Sequence, residues 1–309
     1  MQDPHKNKHA KNYDDEIDLR ELFYVLLQRK WLFASLAFFI SIFGVIYSLS
    51  LPNIYESKTL LVTVKPSSGG ISATLQNNSL MGLAGISLPS GSNEGNSEKA
   101  IQKIKSLSFF ENNILTNINL QDLMAVESWN PKTNKLTYND SVYVASKNIW
   151  AQGKKPSSQE SFKIFKSEHL NLTEDKSTGF FTISIKHQSP YIAKQWVELV
   201  VNEINSFYRQ KDKSDSERAL NYLNKQISLT SLSEIKQVIA ELLQVETQKL
   251  TLIEANQSYV FDYIDPPAVM EKKSEPYRAM ICLLITLFGS MLSIVIVFIK
   301  HYFFSKKAF

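Results

Sequence analysis

Two stretches of 21 residues, 31–51 and 279–299, contain no Asp, Glu, Lys or Arg. An α-helix rises about 1.5 Å per residue, so each stretch can reach across a hydrocarbon core of roughly 30 Å. Leu, Ile, Phe and Val supply 12 residues of the first stretch and 13 of the second. At roughly −0.3 to −0.6 kcal/mol each, they favour insertion by several kcal/mol. Trp31 borders the first stretch and Tyr277 and Tyr302 flank the second, where aromatic rings suit the headgroup layer. The first stretch is read as a retained span rather than a cleaved signal, because 30 residues precede it and no A-x-A site follows. Two retained spans put residues 1–30 and 300–309 on one side and residues 52–278 on the other.

Charge near the spans gives a weak bias toward one orientation. Near the spans, Lys11, Arg20, Arg29, Lys30, Lys300, Lys306 and Lys307 lie on the terminal side, against Lys58, Lys65, Lys272, Lys273 and Arg278 on the loop side. The bias favours cytoplasmic termini and a periplasmic loop. The whole chain carries +4, spread so evenly that the loop domain offers no basic field for nucleic acid. Cys282, the single cysteine, lies inside the second span, so no disulfide framework exists.

The segment between the spans is long enough for its own core. "IYESKTLLVTVKP" predicts a strand ended by Pro66, and the Gly-, Ser- and Asn-rich residues 67–96 predict a mobile loop. "SEKAIQKIKSLSFFENNIL" has helical spacing through Ile101, Ile104 and Leu107. Residues 128–158 show no period and receive no assignment. "GFFTISIKH" alternates Phe181, Ile183 and Ile185 against Thr182, Ser184 and Lys186, the pattern of a half-buried strand.

After that strand, Ser189 is expected to cap a helix with Pro190 at its first turn. An apolar stripe follows through Ile192, Trp196, Leu199, Val200, Ile204 and Phe207, and neither Gly nor Pro recurs until Pro266. A polar run, "RQKDKSDSER", leaves the helix bathed in solvent or facing another subunit. "ISLTSLSE" predicts a turn, with Ser231 or Ser233 capping a second helix through Ile235, Val238, Leu242 and Val245. "SYVFDYID" predicts a returning strand with Tyr259, Phe261 and Tyr263 on one face. Pro266 and Pro267 then end strand pairing, and with Pro276 they make a stiff, extended connector into the second span. The fold class expected is an α+β membrane protein. Two transmembrane helices flank an α/β base, from which long helices over about 190–258 protrude.

Four segments resemble one family, the chain-length determinant (Wzz-type) polysaccharide co-polymerases of bacterial inner membranes. They are "DEIDLRELFYVLLQRKW" before the first span, "IYESKTLL" after it, "SPYIAKQWVELVVNEIN" at the long helix, and "ANQSYVFDYIDPPAVMEKKSEPYRA" before the second span. Met270 departs from the family, many of whose members carry proline there. The resemblance implies homo-oligomeric rings whose helices project into the periplasm. It implies control of the length of O-antigen or a similar polymer, in partnership with a membrane polymerase and the growing lipid-linked polysaccharide. Catalysis and cofactors are not implied. Larger relatives add a tyrosine kinase, and no G-x-x-x-x-G-K-[ST] loop occurs here.

Competing chemistry is thin. His5 and His9 are spaced i, i+4 in a lysine-rich tail, and His169 and His187 have no ligand-spaced partners in sequence. "SEIK" has S-x-x-K spacing but lacks the S-D-N and K-T-G partners of acyl enzymes. A two-span receptor with an extracytoplasmic sensor domain remains the alternative. Asp18 with Glu21 and Ile17 with Leu22 suggest a capped helix entering the first span. Within the spans, Ala34, Ala37, Ser41, Gly44 and Ser48, and Thr286, Gly289 and Ser293, form small-residue stripes that let helix backbones approach closely. Gly44 and Gly289 are therefore expected to sit where spans pack.

Overall fold

The structure, a computed structural model, describes residues 24, 26–64, 94–256 and 258–305. Residues 67–93 of the expected loop, His5, His9 and the capping pair before the first span lie outside those residues, and 94–96, expected in the loop, are helical. The chain divides into two units, one of residues 52–275 and one of residues 1–51 with 276–309.

The larger unit is built on strand β1 (Tyr55–Thr63). The chain continues through helix α1 (Glu94–Ile104), a short turn α2 (Leu107–Phe109) and helix α3 (Leu120–Met124). Two ribbons follow, β2 (Val126–Asn130) with β3 (Lys135–Tyr138) and β4 (Tyr143–Val144) with β5 (Ile149–Trp150). Helix α4 (Ser158–Ile164) leads to β6 (Leu170–Asp175) and β7 (Phe180–His187). Then come α5 (Pro190–Leu229), α6 (Ser233–Ala255) and β8 (Phe261–Asp265).

The main sheet has the order β6-β7-β1-β8 and is antiparallel throughout, so the base is α+β rather than built on parallel crossovers. Tyr55 pairs with His187 and Leu61 with Phe181. That register sends Leu61, Phe181, Ile183 and Ile185 into the core, where all are buried. Helix α5 packs its first half there through Ala193, Trp196, Val197, Val200, Val201 and Ile204. These residues cover more than one face, because α1 and the π-helical turn Phe110–Ile114 also lie against α5. Removing one such fully buried aliphatic side chain typically costs about 2–5 kcal/mol.

Several local expectations need correction. The predicted single helix after Ser97 breaks at Ser106, which is extended and caps a new turn by accepting the Phe109 N–H at 3.3 Å. The π-helical geometry that follows turns Phe109, Phe110 and Ile114 all inward. Ser189 stands at the N-cap of α5 without a side-chain cap bond. Its N–H instead donates to Nδ1 of His187 at 2.9 Å. Neither Ser231 nor Ser233 caps α6, because Leu232 holds that position. The strand after Ser258 begins at Phe261, so Tyr259 precedes it. The unassigned residues 128–158 hold the two ribbons, whose turns place Asn134 (φ 50°) and Asn148 (φ 53°) in the left-handed region. Asparagine tolerates that region well.

The smaller unit pairs α0, the span helix Lys30–Ser50, with α7, Arg278–Ser305. Both are long and apolar enough to cross a membrane. Most of their surface is uncovered, including Phe38, Phe39, Phe43, Leu283 and Phe288. An apolar exposure of this size calls for a lipid or protein environment.

Candidate functional site

Two places combine backbone constraint with named side chains: the seam between the spans, and the connector that precedes the second span.

At the seam the helices run antiparallel, with Gly44 facing Ile285 and Gly289 facing Ile40. A Cβ on Gly44 would lie 2.6 Å from Cγ2 of Ile285, and one on Gly289 would strike Cγ2 of Ile40. Each glycine thus receives an isoleucine of the opposite helix. Gly44, Ser48, Gly289, Ser293 and Val297 are buried. The Ser293 hydroxyl donates to the Gly289 carbonyl at 2.7 Å and that of Ser41 to Ala37 at 2.9 Å, so both polar groups are satisfied within their own helices. The stripes differ from expectation at two points. Ala34 is exposed, and Thr286 turns outward and bonds the Cys282 carbonyl, while Val297 extends the buried face. Arg278 donates to the carbonyl of Leu51 at 3.2 Å, setting a cation at the C-terminal end of α0.

The connector begins at β8 beside β1. Proline has no N–H, so Pro266 and Pro267 stop the ladder. Two hydroxyls of β1 carry on from there. Thr59 Oγ1 donates to the Asp265 carbonyl at 2.6 Å and Ser57 Oγ to that of Ala268 at 2.9 Å. Pro266 is exposed and Pro267 buried. Further on, Ile54 and Glu275 form an antiparallel bridge, and Lys186 Nζ meets Glu275 Oε1 at 2.5 Å. In residues 266–275 the chain is thus tied to β1 and β7, not a free spacer. Pro276 is half-buried, and its carbonyl accepts the Arg278 N–H at 2.9 Å. Ser57, Thr59, Lys186 and Glu275 were not singled out from sequence. The readable sign was a pair of hydroxyls, two apart, on the same face of β1 as the core residue Leu61.

The fold also joins His169 and His187, which are distant in sequence. Their rings lie 5.8 Å apart and both contact Trp196, at 5.5 and 5.0 Å between ring centres. His187 Nδ1 accepts from Ser189 N–H, so its Nε2 carries the proton and donates to the Asp122 carbonyl at 2.9 Å. Burial above all pushes His187 down to about 4 and lowers His169 as well. These rings are structural neutrals, and among the described residues no three His, Cys, Asp or Glu side chains could hold a metal ion.

Beyond Tyr208, α5 leaves the core and pairs with α6. Lys213 and Glu254 meet at 2.5 Å, Arg209 donates to the Asn256 carbonyl at 2.6 Å, and the Tyr259 hydroxyl donates to Asp212 at 2.6 Å. At the far end Tyr222, Leu229, Leu232 and Ile235 are exposed.

A sequence profile described as Wzz, chain length determinant protein, matches residues 15–116. This region runs from before α0 through β1 to the π-helical turn. A solved structure titled "full-length bacterial polysaccharide co-polymerase" is 13% identical, with a TM-score of 0.44, over 94% of this chain and 100% of that one. A fragment of WzzB, a polysaccharide co-polymerase from Salmonella Typhimurium, is 12% identical, with a TM-score of 0.31, over 72% of this chain and 100% of that one. No curated protein matches the chain in sequence.

Proposed function

We propose that this chain, whose residues 15–116 match the Wzz chain length determinant profile, is a non-catalytic regulator of surface polysaccharide chain length. The family match is the observation that carries the reading. It embraces the lead-in, the first span, β1 and α1, so it joins membrane and base in one signature. The receptor alternative finds no such support.

In this reading the spans lie in the inner membrane, both termini are cytoplasmic, and residues 52–278 are periplasmic. The weak excess of basic residues on the terminal side supports that orientation. The working form is a homo-oligomer that meets a polysaccharide polymerase and its lipid-linked product. The exposed apolar tip of the α5–α6 pair and the half of α5 beyond the core offer surface for such contacts. Pro266, Pro267, Pro276, Gly44 and Gly289 would couple the base to the membrane seam.

Deleting the gene and resolving the surface polysaccharide on a gel tests the reading. Polymer should still be made, with its preferred length lost or shifted. Complete loss of polymer without effects on neighbouring genes would overturn it in favour of an essential synthetic or export role.

A further inference from the structure

We infer that a cleft beside the β4–β5 ribbon binds the glycan itself, a short stretch of hexopyranose chain; this rests on the reading above that the protein works on a polysaccharide. The cleft has a volume of about 460 Å³, within the range of roughly 300–1,000 Å³ usual for small-ligand sites. Leu115, Ile118 and Leu120 give it an apolar side. Its other lining combines an aromatic ring with amide and ammonium groups.

A hexopyranose is amphipathic. Its ring C–H groups form an apolar face that packs on an aromatic ring, while its hydroxyls around the edge both donate and accept hydrogen bonds. Trp150 supplies the ring. It is half-buried and is braced by Tyr143, whose ring centre lies 5.2 Å away. Tyr143 is itself buried and packs on Tyr138 at 5.5 Å. The indole is thus mounted on a rigid aromatic column and loses little freedom when a ligand stacks on it.

The polar edge is partly uncommitted. Asn148 sits in the left-handed turn of the ribbon, and its Oδ1 accepts the Tyr143 hydroxyl, which leaves both amide hydrogens to donate into the cleft. Asn119 spends its amide nitrogen on Asp122 at 2.9 Å and keeps its oxygen as an acceptor. Among the described residues, the side chains of Gln121 and Lys155 have no hydrogen-bonding partner. Donors and acceptors that alternate around an aromatic platform match vicinal hydroxyls. They match a lipid tail or a peptide's apolar side chains poorly.

The test uses the full chain purified in detergent. The probe is oligosaccharide released by mild acid from the host's own surface polysaccharide, with polyethylene glycol, which has neither pyranose rings nor vicinal hydroxyls, as control, and binding is read by saturation-transfer NMR. The wild type should bind the host oligosaccharide and not the polyether. Trp150→Ala should weaken binding about tenfold, the loss expected for one stacked aromatic contact. Because Trp150 also packs on Tyr143, Gln121→Ala and Lys155→Ala serve as surface variants, checked for an unchanged melting temperature, and each should weaken binding several-fold. No binding by the wild type, or full binding by all three variants, overturns the inference. So does binding confined to lipid-linked oligosaccharide and indifferent to the variants, since the lipid would then be what is held. The outcomes separate from those of the functional reading. If deletion shifts polymer length while the cleft variants restore the normal length and the wild type binds no sugar, length control stands and the cleft falls. If deletion leaves polymer length unchanged, length control falls whatever the cleft binds.

Discussion

Single residues set two of the constraints. The first is the glycine pair in the membrane. Lipid tails are as apolar as leucine, so two apolar spans gain nothing from apolarity alone and pair only where their backbones can approach. Gly44 and Gly289 each accept an isoleucine of the other helix. Gly44→Leu or Gly289→Leu should therefore separate the helices while leaving insertion favourable. The expected outcome is a changed polymer length and altered cross-linked oligomers, with Phe39→Leu, on an exposed face, behaving as wild type. Normal length and normal oligomers in both glycine variants would reduce the spans to passive anchors. The second constraint is His187. Its folded pKa lies at about 4, below the ordinary value of 6.5. The unfolded chain therefore binds a proton that the folded chain refuses. Its contribution to stability is fully present above about pH 6.5 and is lost as the pH falls toward 4, a change of up to about 3 kcal/mol. Melting temperatures between pH 7.5 and 4.5 should fall more steeply for the wild type than for His187→Gln. Parallel slopes would show that this ring does not govern acid sensitivity.

At the scale of elements, the connector and the long helix carry the argument. Ser57 and Thr59 donate to carbonyls where the prolines have broken the ladder. Ser57→Ala should cost about 1 kcal/mol and lower the melting temperature by roughly 2–4 °C for a unit of this size. No shift would mean that the hydroxyl bond is replaced by water. In α5, Ser216 is buried in the half of the helix that pairs with α6. Ser216→Pro would remove a backbone donor and clash with the preceding turn, costing about 3 kcal/mol. Far-UV circular dichroism should report lost helix and the polymer should lose its preferred length, although the α5 core residues end at Tyr208. The elements that sequence predicted are those written in local periodicity. β7 alternates apolar and polar residues from Phe181 to Ile185, although Ser184, expected on the outer face, is buried, and α5 runs 40 residues with no Gly and with Pro only at its start. The ribbons stayed hidden because strands of two to five residues are too short to establish a period: even β3, which alternates over Lys135–Tyr138, spans only four residues. What announces them is an asparagine in each turn. The histidine pair was illegible for another reason. His169 and His187 meet only because β6 and β7 are antiparallel, and α5 then lays Trp196 against both rings. Ser189 reaches its N-cap position without the side-chain bond, its N–H turning to His187 Nδ1, and Ser231 and Ser233 do not cap α6 because Leu232 stands at the N-cap.

For the whole molecule, the remaining issue is which side of the membrane holds the larger unit. Seven basic residues on the terminal side against five on the loop side give only a small bias, and a long loop can translocate regardless of its charge. The antiparallel seam has a firmer consequence. Gly44 facing Ile285 and Ile40 facing Gly289 bring residues 30 and 305 toward the same end of the helix pair and Leu51 and Arg278 toward the other, so one chain connection leaves and returns at a single end. Orientation is thus a single binary question, answered by two labels. With Cys282→Ser as background, Ser214→Cys lies on an exposed position of α5 and Ser305→Cys at the end of α7. An impermeant maleimide added to intact spheroplasts should label the first and spare the second, with both labelled after detergent. Labelling of Ser305→Cys alone would invert the molecule, turn the larger unit to the cytoplasm, and remove it from any polymer that grows in the periplasm. That outcome would end the length-control reading without any polysaccharide being measured.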